Sequence, residues 1–426
     1  MNAGVPHLTT ALTGPLLKLE AHLLERQADV ECWFREQWLQ TPAPFYTSVD
    51  LRNAGFKLAP VDTNLFPAGF NNLNPAFMPL CIQAAQAAVE RHCPRARCIL
   101  IIAENHTRNL FYLESLETLR MIFEKAGLEA RLGSLRDDVT ETLSIALPSG
   151  RVTQLSPLQR HGARLSLDDD FSPCMVLLNN DLSAGVPTIL EGIEQQLVPP
   201  LKAGWSSRKK SDHFKHYHAV AKAFASQVDI DPWLVSPLSL QCGQVNFMEK
   251  SGGECLARNV TSLLGMIQRK YDEYGIDREP FVVVKADSGT YGMGVMMVKS
   301  ADEVLNLNRK QRNKMASAKE GLLVDNVLIQ EGVYTFETMG PEQAVAEPVI
   351  YMMDHYVVGG FYRVHTGRGV NENLNAPGMH FEPLAFAQSC ISPEKRENPD
   401  AEPNRFYAYG VIARLALLAA ARELAA

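Results

Sequence analysis

At 426 residues the chain has room for two or three domains with large buried cores. Hydrophobic residues at 46% and charged residues at 21% are ordinary for a globular protein, and a formal net charge of −7 argues against a general nucleic-acid binder, which carries a basic excess or stripe. The longest apolar runs, "CILIIA" (98–103) and "CMVLL" (174–178), are strand-length and too short to span a bilayer, and eight scattered cysteines without a C-x-x-C indicate neither a zinc ribbon nor a disulfide framework.

Residues 1 to about 45 read as helical, with Leu17, Leu19, Leu23 and Leu24 set among charges; the start lacks a basic segment followed by a continuous apolar one, so no signal peptide is expected. The next stretch, "SVDLRNAGFKLAPVDTNLFPAGFNNL" (48–73), is rich in Asn, Gly and Pro, too aperiodic for a helix and too particular for a linker. "ARCILIIAEN" (96–105) is a buried-strand pattern, followed by a helix over 109–128 that ends at a glycine. "MVLLNNDLSAGVP" (175–187) repeats the theme of an apolar strand ending in polar residues. Strands alternating with helices imply an α/β unit with a mainly parallel sheet and ligands beyond the strand C-termini, which sets Glu104, Asn105, Asn179, Asn180 and Asp181 near a site; the same residues also suit turns and caps. The basic run "SSRKKSDHFKHYH" (206–218) fits either a solvated helix start or the rim of an anion pocket. His213, His216 and His218 have a metal-like spacing but no supporting fourth ligand.

From about 240 the texture changes, and two domains are expected, 1–240 and 241–426. "REPFVVVKADSGTYGMGVMMVKS" reads as strand, glycine loop, strand, an antiparallel hairpin. A charged helix follows, opened by Ser300 as cap with Glu303 three residues on. "NVLIQEGVYTFE" and "EPVIYMMDHYVVGGFYRVH" are further strands, "GRGVNENLNAPGMHFEP" (367–383) is a long polar loop, and the Ala-rich segment 408–426 is a closing helix, more often core than an interface.

The glycine loop matches neither G-x-x-x-x-G-K-[ST] nor G-x-G-x-x-G. Lys285 instead precedes Ser288, Gly289, Gly292 and Gly294 at a strand end. A lysine offers a point charge to phosphate oxygens and glycines let backbone N–H groups come close, although glycines in a hairpin also serve a tight turn. The strand "VLIQEGV" runs into Gln330, Glu331 and Val333 and could present its backbone to an adenine edge, with Glu337 taking ribose hydroxyls. Arg363 comes from a strand and suits a phosphate or acyl-phosphate oxygen, and Glu372, Asn373 and Asn375 are hard oxygen donors of the kind Mg²⁺ prefers beside ATP.

That order of parts, together with "NAGFKLAPVDTNLFPAGFNNL", resembles the proteobacterial-type glutamate–cysteine ligase family of the ATP-grasp superfamily. The resemblance implies an ATP-grasp-like α/β (α+β) fold, with an N-terminal substrate domain and a C-terminal nucleotide domain with an antiparallel sheet and a glycine flap. It implies ATP-dependent formation of γ-glutamylcysteine through an acyl phosphate, with Mg²⁺. By position Lys285 would be the phosphate lysine and Lys250 a first nucleotide lysine. Gln330 and Glu331 would form the hinge, Glu337 the ribose contact, and Arg363 the catalytic arginine. Arg52 and Lys57 would meet glutamate's carboxylates, and Asp62 with Asn64 its ammonium. The metal ligands would be among Glu347, Glu372, Asn373 and Asn375, in an order that departs from the superfamily's. A different acid and amine pair, or a non-catalytic nucleotide binder of the same fold, stays open. The expected partners are small molecules (glutamate, cysteine and ATP), with no nucleic acid and no membrane, a homo-oligomer left open, and a cytoplasmic location.

Overall fold

The two apolar runs become neighbouring parallel strands, Cys98–Ile102 and Met175–Leu178, with residues 99–102 paired to 175–178. A computed structural model describes residues 8–9, 14–105, 109–288, 294–316, 324–384 and 406–426. These two strands form the centre of a six-stranded, mainly parallel sheet. Helix Leu110–Lys125 covers it, begun by the side chain of Asn109, which accepts from the N–H groups of Phe111 and Tyr112. At the strand ends Asn180 donates to the Ala103 carbonyl at 3.1 Å and Glu104 accepts from the Asp181 N–H at 2.9 Å. Asn179 is held by Tyr46 and Tyr112. The polar residues there brace the strand ends against one another, around a cavity of about 130 Å³ that Glu104, Asn105 and Asn180 line.

The stretch 48–73 departs from its expected irregularity. It supplies an antiparallel hairpin, Tyr46–Asn53 with Leu58–Asn64, turned at Gly55 (φ +79°) where the Ala54 N–H donates to the Lys57 carbonyl. Most residues of the first strand are buried, on both faces, which erases the alternation that would have marked a strand. This hairpin joins Ala344–Met353, which pairs with Tyr356–His365, itself paired with His380–Pro383, in a seven-stranded antiparallel sheet. The sheet therefore takes strands from both sides of residue 240, and a strand closes the segment read as a long polar loop.

A third, four-stranded antiparallel sheet runs Ser239–Gly243, Asn326–Glu331, Val282–Ala286, Val295–Val298. It contains the expected glycine hairpin, and helix Gly253–Tyr274 packs on one face through Leu256, Val260, Leu263 and Ile267. The final helix, Phe406–Ala425, is buried from Tyr407 to Ala421 and shares one apolar cluster with helix Lys210–Val228 and the hairpin. It is core. No helix among the described residues is long and apolar enough to cross a membrane.

Candidate active site

Period-two alternation decides where Lys285 points. Val282, Val284 and Ala286 enter the core beneath helix Gly253–Tyr274, so Lys285 faces the other way, toward the hairpin of the seven-stranded sheet. There its ammonium donates to the Val61 carbonyl at 2.7 Å and to Gln330 Oε1 at 2.6 Å. Both acceptors are neutral. Burial pushes this ammonium down to about 8, against the pull of nearby Asp62.

Asp62 is held by a lysine the sequence reading did not single out. Lys210, first residue of helix Lys210–Val228, pairs with Asp62 at 2.8 Å and lies over the Trp205 ring at 4.2 Å. Burial would raise the Asp62 carboxyl, but Lys210 and Lys285 outweigh it and hold it at about 2. Asp287, two residues after Lys285, ties the base of the glycine loop to the same helix start. Its carbonyl accepts from the Lys210 N–H at 2.8 Å, and its carboxylate accepts from the N–H and hydroxyl of Ser211 at 2.7 Å each. The basic run 206–218 is thus two-sided: Arg208, Lys210, Ser211 and His213 are buried, while Lys209, Asp212 and Lys215 face solvent. Ser288 sits at the loop's edge. Gly294 takes φ +61°, and a Cβ there would lie 2.9 Å from that of Ala286. Gly289 and Gly292 lie outside the described residues.

The other wall is the pair Ala344–Met353 and Tyr356–His365, where Glu347 and Arg363 are register partners. The Arg363 guanidinium bonds both Glu347 and Asp50, the latter at 3.0 Å. Arg52 donates to Glu347 at 3.1 Å, to the Val333 carbonyl at 3.2 Å, and to the Glu372 carbonyl. Burial raises Glu347, yet Arg52 and Arg363 win and leave it below the usual carboxylate range. Asp50 goes the other way: burial raises it, Arg363 opposes, and the charges of Glu347 and Asp62 add to the rise. Four cations (Arg52, Lys210, Lys285, Arg363) and three acids (Asp50, Asp62, Glu347) so converge where the two antiparallel sheets meet. That assembly suits a polyanion whose charge grows during reaction.

Other expected residues are brought elsewhere. Lys57 is sealed against Glu331 at 2.7 Å, with side-chain exposures of 0% and 1%, and Trp233 Nε1 donates to the same carboxylate at 3.1 Å. Neither side chain faces the cleft. The backbone of Asn326–Glu331 is paired on both sides, so its groups are not open to an adenine edge; past it, the Val333 carbonyl is taken by Arg52. Glu337 is fully buried, bonded by the hydroxyls of Tyr409 and Tyr362, and offers no surface to a ribose. The Asn64 side chain closes its own turn with the backbone of Phe66. Lys250 is exposed and lines a separate cavity with Val304, Leu307 and Arg312, on the helix side of the four-stranded sheet rather than on the Lys285 side.

The metal candidates divide. Glu347 reaches the cleft, between two arginines. The Glu372 carboxylate turns to the Gly369 N–H and Arg368, and Asn373 caps the N–H of Asn375. No group of three or more His, Cys, Asp or Glu able to hold a metal occurs among the described residues. The histidines diverge too: His213 bonds Glu423 and Arg208, whereas His218 bonds Ser236 and Ser239.

Comparison with known proteins gives the family. The glutamate–cysteine ligase family profile matches residues 20–424. A crystal structure from Methylobacillus flagellatus KT, provisionally named gamma-glutamylcysteine synthetase, is 62% identical, covers 99% of each chain and superposes with a TM-score of 0.91. A glutathione synthetase-like effector from Globodera pallida (11% identity, 86% of this chain and 80% of that one, TM-score 0.38) and the D-alanyl-alanine synthetase A of Vibrio cholerae (11%, 74% and 80%, 0.33) are too distant to carry an argument. No curated protein sequence matches. With nearly its whole length matched, the chain belongs to the glutamate–cysteine ligase family.

Proposed function

We propose that the cleft between the two antiparallel sheets joins glutamate to cysteine at the expense of ATP, in an ATP-grasp manner. The observation that carries this reading is the state of Lys285: a lysine charge at the base of a glycine loop whose two hydrogen bonds go to neutral acceptors. Its charge is available for a phosphate, as that of Lys57, sealed against Glu331, is not.

The γ-carboxylate of glutamate attacks the γ-phosphorus of ATP, giving an acyl phosphate and ADP. The cysteine amine then attacks the acyl carbon, and phosphate leaves as the amide forms. No protein nucleophile is needed, so the residues act by position and charge. Lys285 and Lys210 hold the phosphates from the two sides of Asp62, while Asp287 keeps helix start and glycine loop in register. Arg363 lies where the acyl phosphate would develop charge, and Arg52 is placed for a glutamate carboxylate. Asp50, raised by burial, is the carboxylate suited to take the amine's proton. Mg²⁺ would travel with the ATP phosphates and neutralise part of their charge; Glu347 is the one buried carboxylate among its candidates, and two arginines already hold it, which favours metal contact chiefly through ATP itself. The domains are proposed to divide as 1–240 and 241–426, with the site at their shared sheet.

ADP release with glutamate, then with cysteine, alanine or glycine added, tests the reading. Glutamate with cysteine is expected to release ADP fastest. Release only with another acid or amine would refute the substrate pair and leave the ligase class standing.

A further inference from the structure

Cys242 and Cys255 bracket a tight loop. Cys242 lies in strand Ser239–Gly243 and is 3% exposed; Cys255 is the third residue of helix Gly253–Tyr274 and is exposed. Their sulfurs are 3.6 Å apart. A disulfide needs roughly 2 Å between sulfurs, so closing the pair takes side-chain rotation together with a small approach of the strand and the helix start. The loop between them holds the thiols face to face. The Asn246 N–H donates to the Ser251 carbonyl at 3.1 Å, and Gln244, Lys250 and Gly252 all take positive φ (59°, 60° and 76°). At Gly252 a Cβ would lie 2.6 Å from the Gln244 carbonyl oxygen, so only glycine fits this approach.

Strand alternation links the pair to the cleft. Cys242 turns into the core under the helix, whereas its neighbour Gln241 turns outward and donates to Asp287 Oδ2 at 3.3 Å. Asp287 is the residue that ties the glycine loop to Lys210 and Ser211. One residue thus separates the thiol from the contact chain that sets the spacing of Lys210 and Lys285.

We propose that Cys242 and Cys255 form a thiol-exchange site for low-molecular-weight disulfides, and that its closure slows the reaction in the cleft. Cys255, the exposed partner, attacks a disulfide RSSR as thiolate and releases one RSH, leaving a mixed disulfide. Cys242 then attacks the Cys255 sulfur, the second RSH leaves, and an intramolecular S–S bond closes. The two cysteines give up two electrons, RSSR takes them, and the cysteine protons end on the two RSH. Burial first, and Cys255 second, push the Cys242 thiol up to about 11, which leaves the first attack to Cys255. Closure draws the strand toward the helix and loosens Gln241 from Asp287. The effect on rate rests on the function proposed above; formation of the bond does not.

The test treats the full chain with bis(2-hydroxyethyl) disulfide, maps peptides by mass, and follows ADP release. The expected result is one peptide linked between 242 and 255, two thiols released per chain, and turnover lowered about fivefold, restored by dithiothreitol. Cys242→Ser and Cys255→Ser are expected to start at full turnover and to resist the reagent. Linkage elsewhere, for example among Cys93, Cys98 and Cys174, would overturn the proposal. A mixed disulfide on Cys255 that never resolves, or a closed pair with unchanged turnover, would do the same. A chain that forms the link but releases no ADP with glutamate and cysteine would refute the substrate pair rather than the thiol site.

Discussion

Lys57 and Lys285 lie on neighbouring parts of the molecule, and burial pushes both down to about 8. Their surroundings differ in one respect. Lys57 meets a single carboxylate, Glu331, in a sealed slot beneath Trp233, where the ring adds a cation–π contact at 4.3 Å. Lys285 stands in a half-open cleft, bonds neutral groups, and shares its field with Asp62, Lys210 and Arg52. The first arrangement spends the charge on structure. The second keeps it for a ligand, because a charge sealed with its carboxylate out of reach of any solute has no face left to turn to phosphate.

The most direct way to break this comparison is to unbalance the sealed pair. Lys57→Ala leaves Glu331 buried without its cation and is expected to cost about 3–5 kcal/mol of stability, read by urea unfolding. The double variant Lys57→Met/Glu331→Gln should recover most of that loss, since it removes both charges. Should Lys57→Ala unfold like the parent yet lose turnover, the pair would belong to the cleft after all. Lys285→Ala is the mirror experiment. Turnover should fall about a hundredfold with no loss of stability, as the variant removes a desolvated charge that no acid neutralises directly. Arg363→Ala is less clean as a probe, because it also leaves Asp50 and Glu347 facing one another.

Those two lysines also measure what sequence can reveal. The placement of Lys285 and Arg363 at the cleft is legible because each ends or interrupts an apolar strand, and strand alternation fixes a side chain's direction. The hinge expected at Gln330 is instead a fully paired strand, whose Gln330 side chain accepts from Lys285. Lys57 and Glu337 carried the same chemical promise and are sealed, since nothing local says whether a charge is covered by a distant tyrosine or tryptophan. The hairpin that forms the cleft's floor was missed because burial on both faces removes the two-residue period and Pro60 discourages a strand reading. Lys210 was missed for a different reason: its partner Asp62 is 148 residues away in sequence. Its one signal was the basic run 206–218, which fits a pocket as well as a surface.

Lys210→Ala sharpens the role found only in the structure. It should lower kcat/KM for ATP about tenfold by removing a charge-assisted contact and releasing Asp62, and Lys210→Arg should recover part of it. An unaltered kcat/KM would reduce Lys210 to a helix-end salt bridge.

The pH dependence separates binding from folding, and the signs oppose each other. For both lysines the folded value of about 8 lies below the unfolded 10.5, so between these limits the unfolded chain holds more protons and stability rises with pH. Over the same window Lys285 loses the charge that phosphate needs, so kcat/KM for ATP should fall a few-fold above pH 8. A denaturant midpoint that drops from pH 8 to 9.5 while kcat/KM stays level would contradict both assignments.

The smallest effect is expected at Lys250, and it matters because spacing alone would make it a nucleotide lysine. Its loop lies on the helix side of the four-stranded sheet, with Val304, Leu307 and Arg312 around it, while Lys285 leaves the opposite face. A side chain there cannot share a phosphate with Lys285 unless the loop crosses the sheet, and the left-handed residues at 244, 250 and 252 hold it in place. Lys250→Ala should therefore change kcat and KM for ATP by less than about twofold, the range of an ordinary surface substitution. The two-sidedness of the sheet is what this variant puts at risk: a tenfold rise in KM for ATP would place nucleotide on the helix face and require Lys285, Lys210 and Arg363 to serve the substrates instead.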